Sequence, residues 1–311
     1  MSALPLAIFM MGPTASGKTQ AAVELAQQLP VEIISVDSAL IYRDMNIGTA
    51  KPSLEILAHT PHHLIDILSP TDSYSAATFC HDALRLMKDI TQRGRIPLLV
   101  GGTMLYFHAL RFGLNELPKA NLAIRTSLQE RSVSIGWPAL HAELNKIDPR
   151  TAERLKSNDA QRIQRALEIY QLTGQPMSML LNDTNKRPLP YNTVQISLTP
   201  SSRDQLHTRI ATRFSIMLKH GLVAELRALQ ERYTLHQDLP SMRCVGYRQA
   251  WKFLTQEISE TELFDKGTAA TRQLAKRQLT WLRHMPGIVE IDCLANNVVR
   301  QILTAIHQRQ N

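Results

Sequence analysis

Residues 12–19 read Gly-Pro-Thr-Ala-Ser-Gly-Lys-Thr, a full match to the phosphate-loop pattern G-x-x-x-x-G-K-[ST]. An apolar run, Leu6–Met11, leads into it, and a helical pattern, Gln20–Leu29, follows. That setting gives the pattern its meaning. The glycines let the backbone curl so that its N–H groups face an anion, and the helix N-terminus adds partial positive charge. Lys18 supplies a mobile point charge, and the Thr19 hydroxyl is a ligand for Mg²⁺. Gly12, Pro13, Thr14, Ala15, Ser16, Gly17, Lys18 and Thr19 therefore form the candidate cradle for a diphosphate or triphosphate. Phosphate-loop NTPases complete such a site with an apolar strand ending in Asp. The matching strand here, Ile96–Val100, ends Val-Gly-Gly-Thr without an acid. The loop thus reads as one that holds a diphosphate rather than one that drives nucleoside triphosphate hydrolysis.

Outward from the loop, residues 1–115 alternate strand-like runs (Leu6–Met11, Val31–Val36, His63–Leu68, Ile96–Val100) with helical segments (Gly17–Leu29, Ala76–Arg93, Thr103–Phe112). This alternation predicts an α/β fold with a parallel sheet covered on both faces. Val31–Val36 is almost continuously apolar and β-branched, as a buried parallel strand is. Residues 116–190 turn helical (Asn121–Ser132, Pro138–Lys146, Ala160–Leu172) and predict an all-helical insertion. Residues 191–311 return to the core through Thr193–Leu198. Helices follow near Ser202–His220, Leu222–Arg232, Tyr247–Leu254 and Glu260–His284, then a strand at Ile288–Ile291 and a helix at Asn296–Gln308.

The bulk properties narrow the partners. The chain has 311 residues, enough for a large core and a smaller second domain. Its first apolar stretch runs straight into the phosphate loop and reads as a strand, not a signal peptide. Nothing approaches the roughly 20 apolar residues that span a bilayer. Cys80, Cys244 and Cys293 are scattered, so neither a disulfide framework nor a zinc site is indicated, and a reducing cytoplasm fits. His59, His62 and His63 cluster without a thiol or acid at ligand spacing and read as loop and packing residues. The net charge of +8 is uneven: residues 1–115 carry −1, 116–190 carry +3 and 191–285 carry +6. A near-neutral phosphate-loop half followed by a basic remainder points to a polyanion larger than the small phosphorylated ligand.

Several constellations carry chemistry. Asp37 ends the second strand, where ligands of open α/β sheets bind. It suits a general base, and equally a turn cap with Ser38 or a support for the metal ion. Thr103 closes the Val-Gly-Gly-Thr turn, where Gly101 and Gly102 permit close approach to a ligand. Its hydroxyl can orient a reacting amine or cap the following helix. Arg209 and Arg213 share a helix face at i and i+4, which suits phosphate as well as a solvated surface. Three acid-poor segments, Asp159–Arg165, Met242–Arg248 and Arg272–Arg283, combine arginines with glutamines and the aromatic rings of Tyr247 and Trp281. Such faces suit an RNA backbone with a stacking surface, or simply solvent.

Together these segments resemble the bacterial tRNA dimethylallyltransferases, also called tRNA isopentenyltransferases. The resemblance rests on Gly12–Thr19, Asp37–Tyr42, Ile47–Pro52, Pro61–Ile67, Leu98–Tyr106, Asp159–Leu167, Met242–Tyr247 and Arg272–Arg283, in the family's order over nearly the whole chain. It implies a nucleotide-kinase-like core with a helical insertion that clasps the tRNA anticodon stem-loop. It also implies transfer of a dimethylallyl group from dimethylallyl diphosphate to N6 of the adenosine immediately 3′ of the anticodon, position 37. The loop, with Mg²⁺ on Thr19, would stabilise the departing diphosphate, and Arg209 and Arg213 would close over it. Asp37 would take the amine proton and Thr103 would orient the base, which must flip out of its stack. By the same resemblance the RNA path is lined by Asp37, Ser38, Ala39, Leu40 and Thr103, by Arg125, and by Gln161, Arg162, Ile163, Gln164 and Arg165. Met242, Arg243, Cys244, Val245, Gly246 and Tyr247, then Lys276, Arg277, Gln278 and Trp281, complete it. Many relatives carry Gln where this chain has Leu40. Eukaryotic members often add a C-terminal zinc finger, for which this chain lacks the cysteines. The resemblance implies a monomer. The rival readings are an ATP-dependent small-molecule kinase, which leaves the basic second half unexplained, and a nucleotide-regulated RNA-binding switch, which needs the missing strand-end acid.

Overall fold

The structure, a computed structural model, describes residues 4–115, 117–181 and 188–310. Residues 116 and 182–187, which fall at the start and end of the predicted insertion, lie outside the described residues. The strands are β1 (Leu6–Met11), β2 (Val31–Val36), β3 (His62–His63), β4 (Ile96–Gly101), β5 (Asn192–Thr199) and β6 (Val289–Asp292). They form one sheet in the order β3-β2-β4-β1-β5-β6, and every pairing is parallel. The sheet is therefore the parallel α/β core that the alternating sequence predicts.

Strand periodicity explains how both faces close. Ala7, Phe9 and Met11 pack to one side with Phe79, Ala83 and Met87 of α3 (Ala76–Gln92). Ile8 and Met10 pack to the other with Ala22 and Leu25 of α1 (Lys18–Ala26) and Ile302 and Ile306 of α14 (Val298–Gln310). Both faces being buried, these strands read as continuous apolar runs. A third cluster joins Tyr42 and Met45 to α10 (Arg203–Lys219), α11 (Leu222–Arg232), α12 (Tyr247–Leu254) and α13 (Glu260–Arg283).

The predicted strand His63–Leu68 is corrected. Only His62–His63 pairs with β2, and a lone bridge joins Leu68 to Tyr42. Leu64 and Asp66 take φ of +64° and +56°, which no strand accommodates. The turn is fixed by Lys51, whose ammonium donates to the Asp66 carboxylate and to the Tyr42 carbonyl. Three short helices are absent from the sequence reading: α2 (Leu54–His59), α7 (Pro149–Glu153) and α9 (Met177–Leu180). Pro149 starts α7, and Asp148 caps it by accepting from the Thr151 N–H at 3.1 Å.

Two compact units result. One comprises Met1–Arg111 with Leu189–Asn311 and holds the sheet; the other is Phe112–Pro188. The second unit is all-helical, with α5 (Leu122–Ile135), α6 (Trp137–Ile147), α7, α8 (Ala160–Thr173) and α9 around Leu128, Leu140, Leu144, Ile163 and Leu167.

Candidate active site

The phosphate loop connects β1 to α1 with the backbone its motif requires. A Cβ on Gly12 would lie 2.7 Å from the Leu198 carbonyl and 2.8 Å from Ser16 Oγ, so only glycine fits. Gly17 has φ +82° and Ala15 has φ +64°, a left-handed value that costs a non-glycine residue. Lys18 Nζ folds back onto its own loop and donates to the Pro13 carbonyl at 2.6 Å and to Ser16 Oγ at 3.3 Å. Burial and the neighbouring Arg213 charge lower its pKa from 10.5 to about 7, against an upward pull from Asp37.

This shift has a measurable sign. Above pH 7 the free enzyme's Lys18 is largely neutral, whereas an anion in the cradle favours the ammonium. Inorganic diphosphate should therefore bind with proton uptake through Lys18, and its affinity should weaken as pH rises from about 7 towards 10.5. Calorimetry at pH 8 in buffers of different ionisation enthalpy checks this, with Lys18→Met losing that uptake. The same depression makes the ligand-free protein gain stability across that window, because the unfolded chain binds the proton more tightly.

At the end of β2, Asp37 Oδ1 accepts from the N–H groups of Ala39 (2.8 Å) and Leu40 (3.3 Å). One carboxylate oxygen thus caps the turn, and Oδ2 takes part in none of the hydrogen bonds among the described residues. The Thr103 hydroxyl accepts from the Ser38 N–H at 3.1 Å and lies 3.4 Å from Ser38 Oγ. It is engaged with the β2 exit rather than with the first turn of α4 (Met104–Phe112). Asp37 and Thr103 therefore sit on two turns tied to each other.

A cavity of about 780 Å³ at the carboxyl ends of β1, β2 and β4 brings these groups together. Residues 14–19, 37–40 and Thr103 line it with Arg213, Arg243, Cys244, Val245, Arg277, Gln278 and Trp281. Arg213 donates to the Thr49 carbonyl at 3.5 Å, and desolvation holds its pKa below the ordinary value despite the pull of Asp37. Burial pushes the Cys244 thiol up to about 12, which keeps it neutral. Thr19 lines the cavity with its side chain exposed. Among the described residues no three acids, histidines or cysteines gather at metal-binding distance. The site therefore fits a Mg²⁺ held by one hydroxyl and phosphate oxygens, not a protein-built cage.

Other predicted site residues fall elsewhere. Arg209 is outside the cavity lining and donates to the Cys293 carbonyl at 3.4 Å. Gly12 and Pro13 are buried beneath the loop, and Lys276 is exposed on α13 outside the lining. Met242, Gly246 and Tyr247, expected along the RNA path, are all three buried in the structure. Tyr247 stacks on nothing from outside: its hydroxyl donates to Glu225 Oε1 at 2.5 Å. Glu225, which sequence reasoning missed, also accepts from the N–H groups of Asn46, Ile47 and Gly48 and so fixes the loop that presents Thr49 to Arg213. Gly101 and Gly102 line the cavity, and the protein itself also crowds each of them. A Cβ on Gly101 would meet the Val36 carbonyl at 2.0 Å, and one on Gly102 would meet Gln278 Nε2 at 2.3 Å. Gln278 itself is 8% exposed, and its Oε1 takes the Thr14 N–H at 2.8 Å, which withdraws that N–H from the cradle.

In the helical unit, Ile163, expected along the RNA path, lies in the core. Arg125 grips the fully buried Glu168 with both ends of its guanidinium (2.9 and 3.0 Å), and Arg165 joins at 2.6 Å. Gln164 donates to the Arg125 carbonyl. These residues read as scaffold, whereas Gln161 and Arg162 stay exposed, Arg162 with Asp159 as partner. Burial pushes the Glu168 carboxyl up, but hydrogen bonds from Arg125, Arg165 and Asn121 outweigh it and hold the pKa below 4.5. Its contribution to stability is therefore complete above the unfolded-state value and lost as acid protonates it. Glu168→Ala should cost this unit about 3 kcal/mol, the low end for a broken buried pair because both guanidiniums reach water. Denaturant unfolding checks the loss, and diphosphate binding by the sheet unit should be unchanged.

A family model described as IPP transferase matches residues 40–285. A tRNA dimethylallyltransferase from Janthinobacterium sp. (strain Marseille) is 60% identical, covering 100% of this chain and 99% of the relative. One from Herminiimonas arsenicoxydans is also 60% identical, covering 98% and 96%. The crystal structure of the full-length tRNA isopentenylpyrophosphate transferase of Bacillus halodurans superposes with a TM-score of 0.71 at 36% identity, over 99% of this chain and 98% of that one. A eukaryotic dimethylallyltransferase captured acting on tRNA gives a TM-score of 0.79 at 27% identity, over 98% of this chain and 77% of that one.

Proposed function

The chain belongs to the IPP transferase family and transfers a dimethylallyl group to tRNA; from that premise we propose how its cavity performs the reaction and on which atom. The donor is dimethylallyl diphosphate, and the acceptor is N6 of the adenosine immediately 3′ of the anticodon. A bond forms between N6 and the first carbon of the allyl group. The bond from that carbon to the diphosphate oxygen breaks, and its electron pair leaves with diphosphate. The N6 proton passes to Asp37 Oδ2, the carboxylate oxygen that the turn leaves open.

Each side of the cavity has its part. N–H groups of residues 15–19, Lys18 and Arg213 stabilise the charge that grows on diphosphate, as donors aimed at developing charge do. Thr19 would hold Mg²⁺, which neutralises part of that charge when bound. Thr103 and Ser38 orient the adenine, whose amine is a weak nucleophile because its lone pair is delocalised into the ring. A nucleotide in the anticodon loop is already partly unstacked, so flipping it costs less than in a duplex. Arg243, Arg277 and Trp281 at the cavity wall suit the adjoining phosphates and a stacked base. The single observation that supports this reading most is that one cavity holds a phosphate loop, an open carboxylate oxygen and exposed cationic and aromatic side chains, with no acid at the end of β4.

The reaction fits a cytoplasmic monomer. Cys80, Cys244 and Cys293 are free thiols, and among the described residues no helix is long and apolar enough to cross a membrane. Product mapping tests the acceptor assignment. After reaction, nuclease digestion and mass spectrometry should find the added group on the adenosine 3′ of the anticodon alone. A tRNA with guanosine there should stay unmodified; modification at other adenosines would contradict the assignment.

A further inference from the structure

Gln278 lies in the interior of α13, a helix whose exposed face carries Lys276, Arg277 and Trp281. Its own side chain points the other way and joins two pieces of main chain. Oε1 accepts the Thr14 N–H of the phosphate loop at 2.8 Å, and Nε2 donates to the Gly102 carbonyl at 2.9 Å. Gly102 immediately precedes Thr103, whose hydroxyl holds Ser38 beside Asp37. One amide therefore spans from the loop that grips the donor to the turn that orients the acceptor. The sequence supplies its counterpart at Gly102, where a Cβ would sit 2.3 Å from Nε2. A side chain at position 102 would push the glutamine amide aside.

We propose that Gln278 is a positioning residue, not an RNA contact: it fixes the distance between the diphosphate cradle and the Asp37–Thr103 side of the cavity. The proposal rests on the transferase reading above. Transfer needs the allyl carbon and N6 to meet in near-attack geometry, and an error of about 1 Å can cost about 10²-fold in rate. Neither the loop nor the turn has another side chain joining it to the other among the described residues.

The test compares the wild type with Gln278→Met, which keeps length and volume but loses both hydrogen bonds. With donor and stem-loop saturating, the single-turnover rate should fall by about 10²-fold. The dissociation constants for inorganic diphosphate and for an anticodon stem-loop should move by less than about threefold. Gly102→Ala should give the same phenotype by displacing the amide. In a Gln278→Ala background Gly102→Ala should add little, because no long side chain remains to be displaced. Two results overturn the proposal: an intact saturated rate with weakened stem-loop binding, which makes Gln278 an RNA contact, or an intact rate with only a lower melting temperature. Hydrogen exchange of the Thr14 amide reads the latch without turnover and should accelerate in Gln278→Met. Unchanged exchange refutes the latch even if transfer is slowed, whereas an inactive wild type refutes the transferase reading alone.

Discussion

Exchanging Asp37 for asparagine should lower the single-turnover rate of dimethylallyl transfer by about 10²–10⁴-fold, the range for removal of a general base. Asparagine is the informative replacement because the carboxylate has two separable roles. Oδ1 accepts from the Ala39 and Leu40 N–H groups and caps the turn at the end of β2. An amide oxygen preserves that cap while leaving no group able to take the N6 proton. Affinity for the stem-loop and for diphosphate should therefore stay near wild type. Asp37→Ala removes cap and base together, so it should be at least as slow and should also loosen residues 37–40. A near-normal rate in Asp37→Asn, with a slow Asp37→Ala, would reduce Asp37 to a structural cap.

The second large effect is at Lys18. Lys18→Met should lower the saturated rate by about 10²–10³-fold, the loss typical of removing one donor from a site where charge develops. In the ligand-free protein Lys18 Nζ is held by Pro13 and Ser16 within its own loop, so the site is built around it before any ligand arrives. The effect should fall on rate more than on ground-state affinity, because negative charge on the leaving oxygen peaks as the bond to carbon breaks. Lys18→Arg should not rescue. The position encloses a compact ammonium against a carbonyl 2.6 Å away, and a planar guanidinium has a different shape and reach. Single-turnover rates and diphosphate titrations on the three proteins separate these outcomes.

Much of the sheet was legible because buried parallel strands leave a strong local signal. β1 and β2 coincide with the apolar runs Leu6–Met11 and Val31–Val36, and the motif between β1 and α1 needs only local geometry. His63–Leu68 carries the same apolar signal but bends, because two positive φ values and the Lys51–Asp66 pair come from a segment packed against Tyr42 and not from its own composition. Site residues on strand ends, Asp37 and Thr103, were legible because their position follows from the strand. The inward placement of Tyr247 and Gln278 was not legible for one shared reason. Each lies in a basic, acid-poor stretch, yet helical periodicity turns that residue inward while its neighbours Arg248 and Arg277 face out. Their partners, Glu225, Thr14 and Gly102, are distant in sequence, and no local pattern announces them. Arg209 and Arg213 share a helix face, yet one helical turn separates the cavity wall that Arg213 forms from the Cys293 carbonyl that Arg209 meets.

On this reading the phosphate loop serves a prenyl diphosphate and not a phosphoryl donor. The most direct test is one reaction holding the protein, Mg²⁺, an anticodon stem-loop, dimethylallyl diphosphate labelled in the allyl carbon, and ATP labelled in the γ-phosphate. The account predicts allyl label in the RNA, one diphosphate released for each group transferred, and the same yield when ATP is left out. Phosphate label on an acceptor, with no allyl label in the RNA, would contradict it.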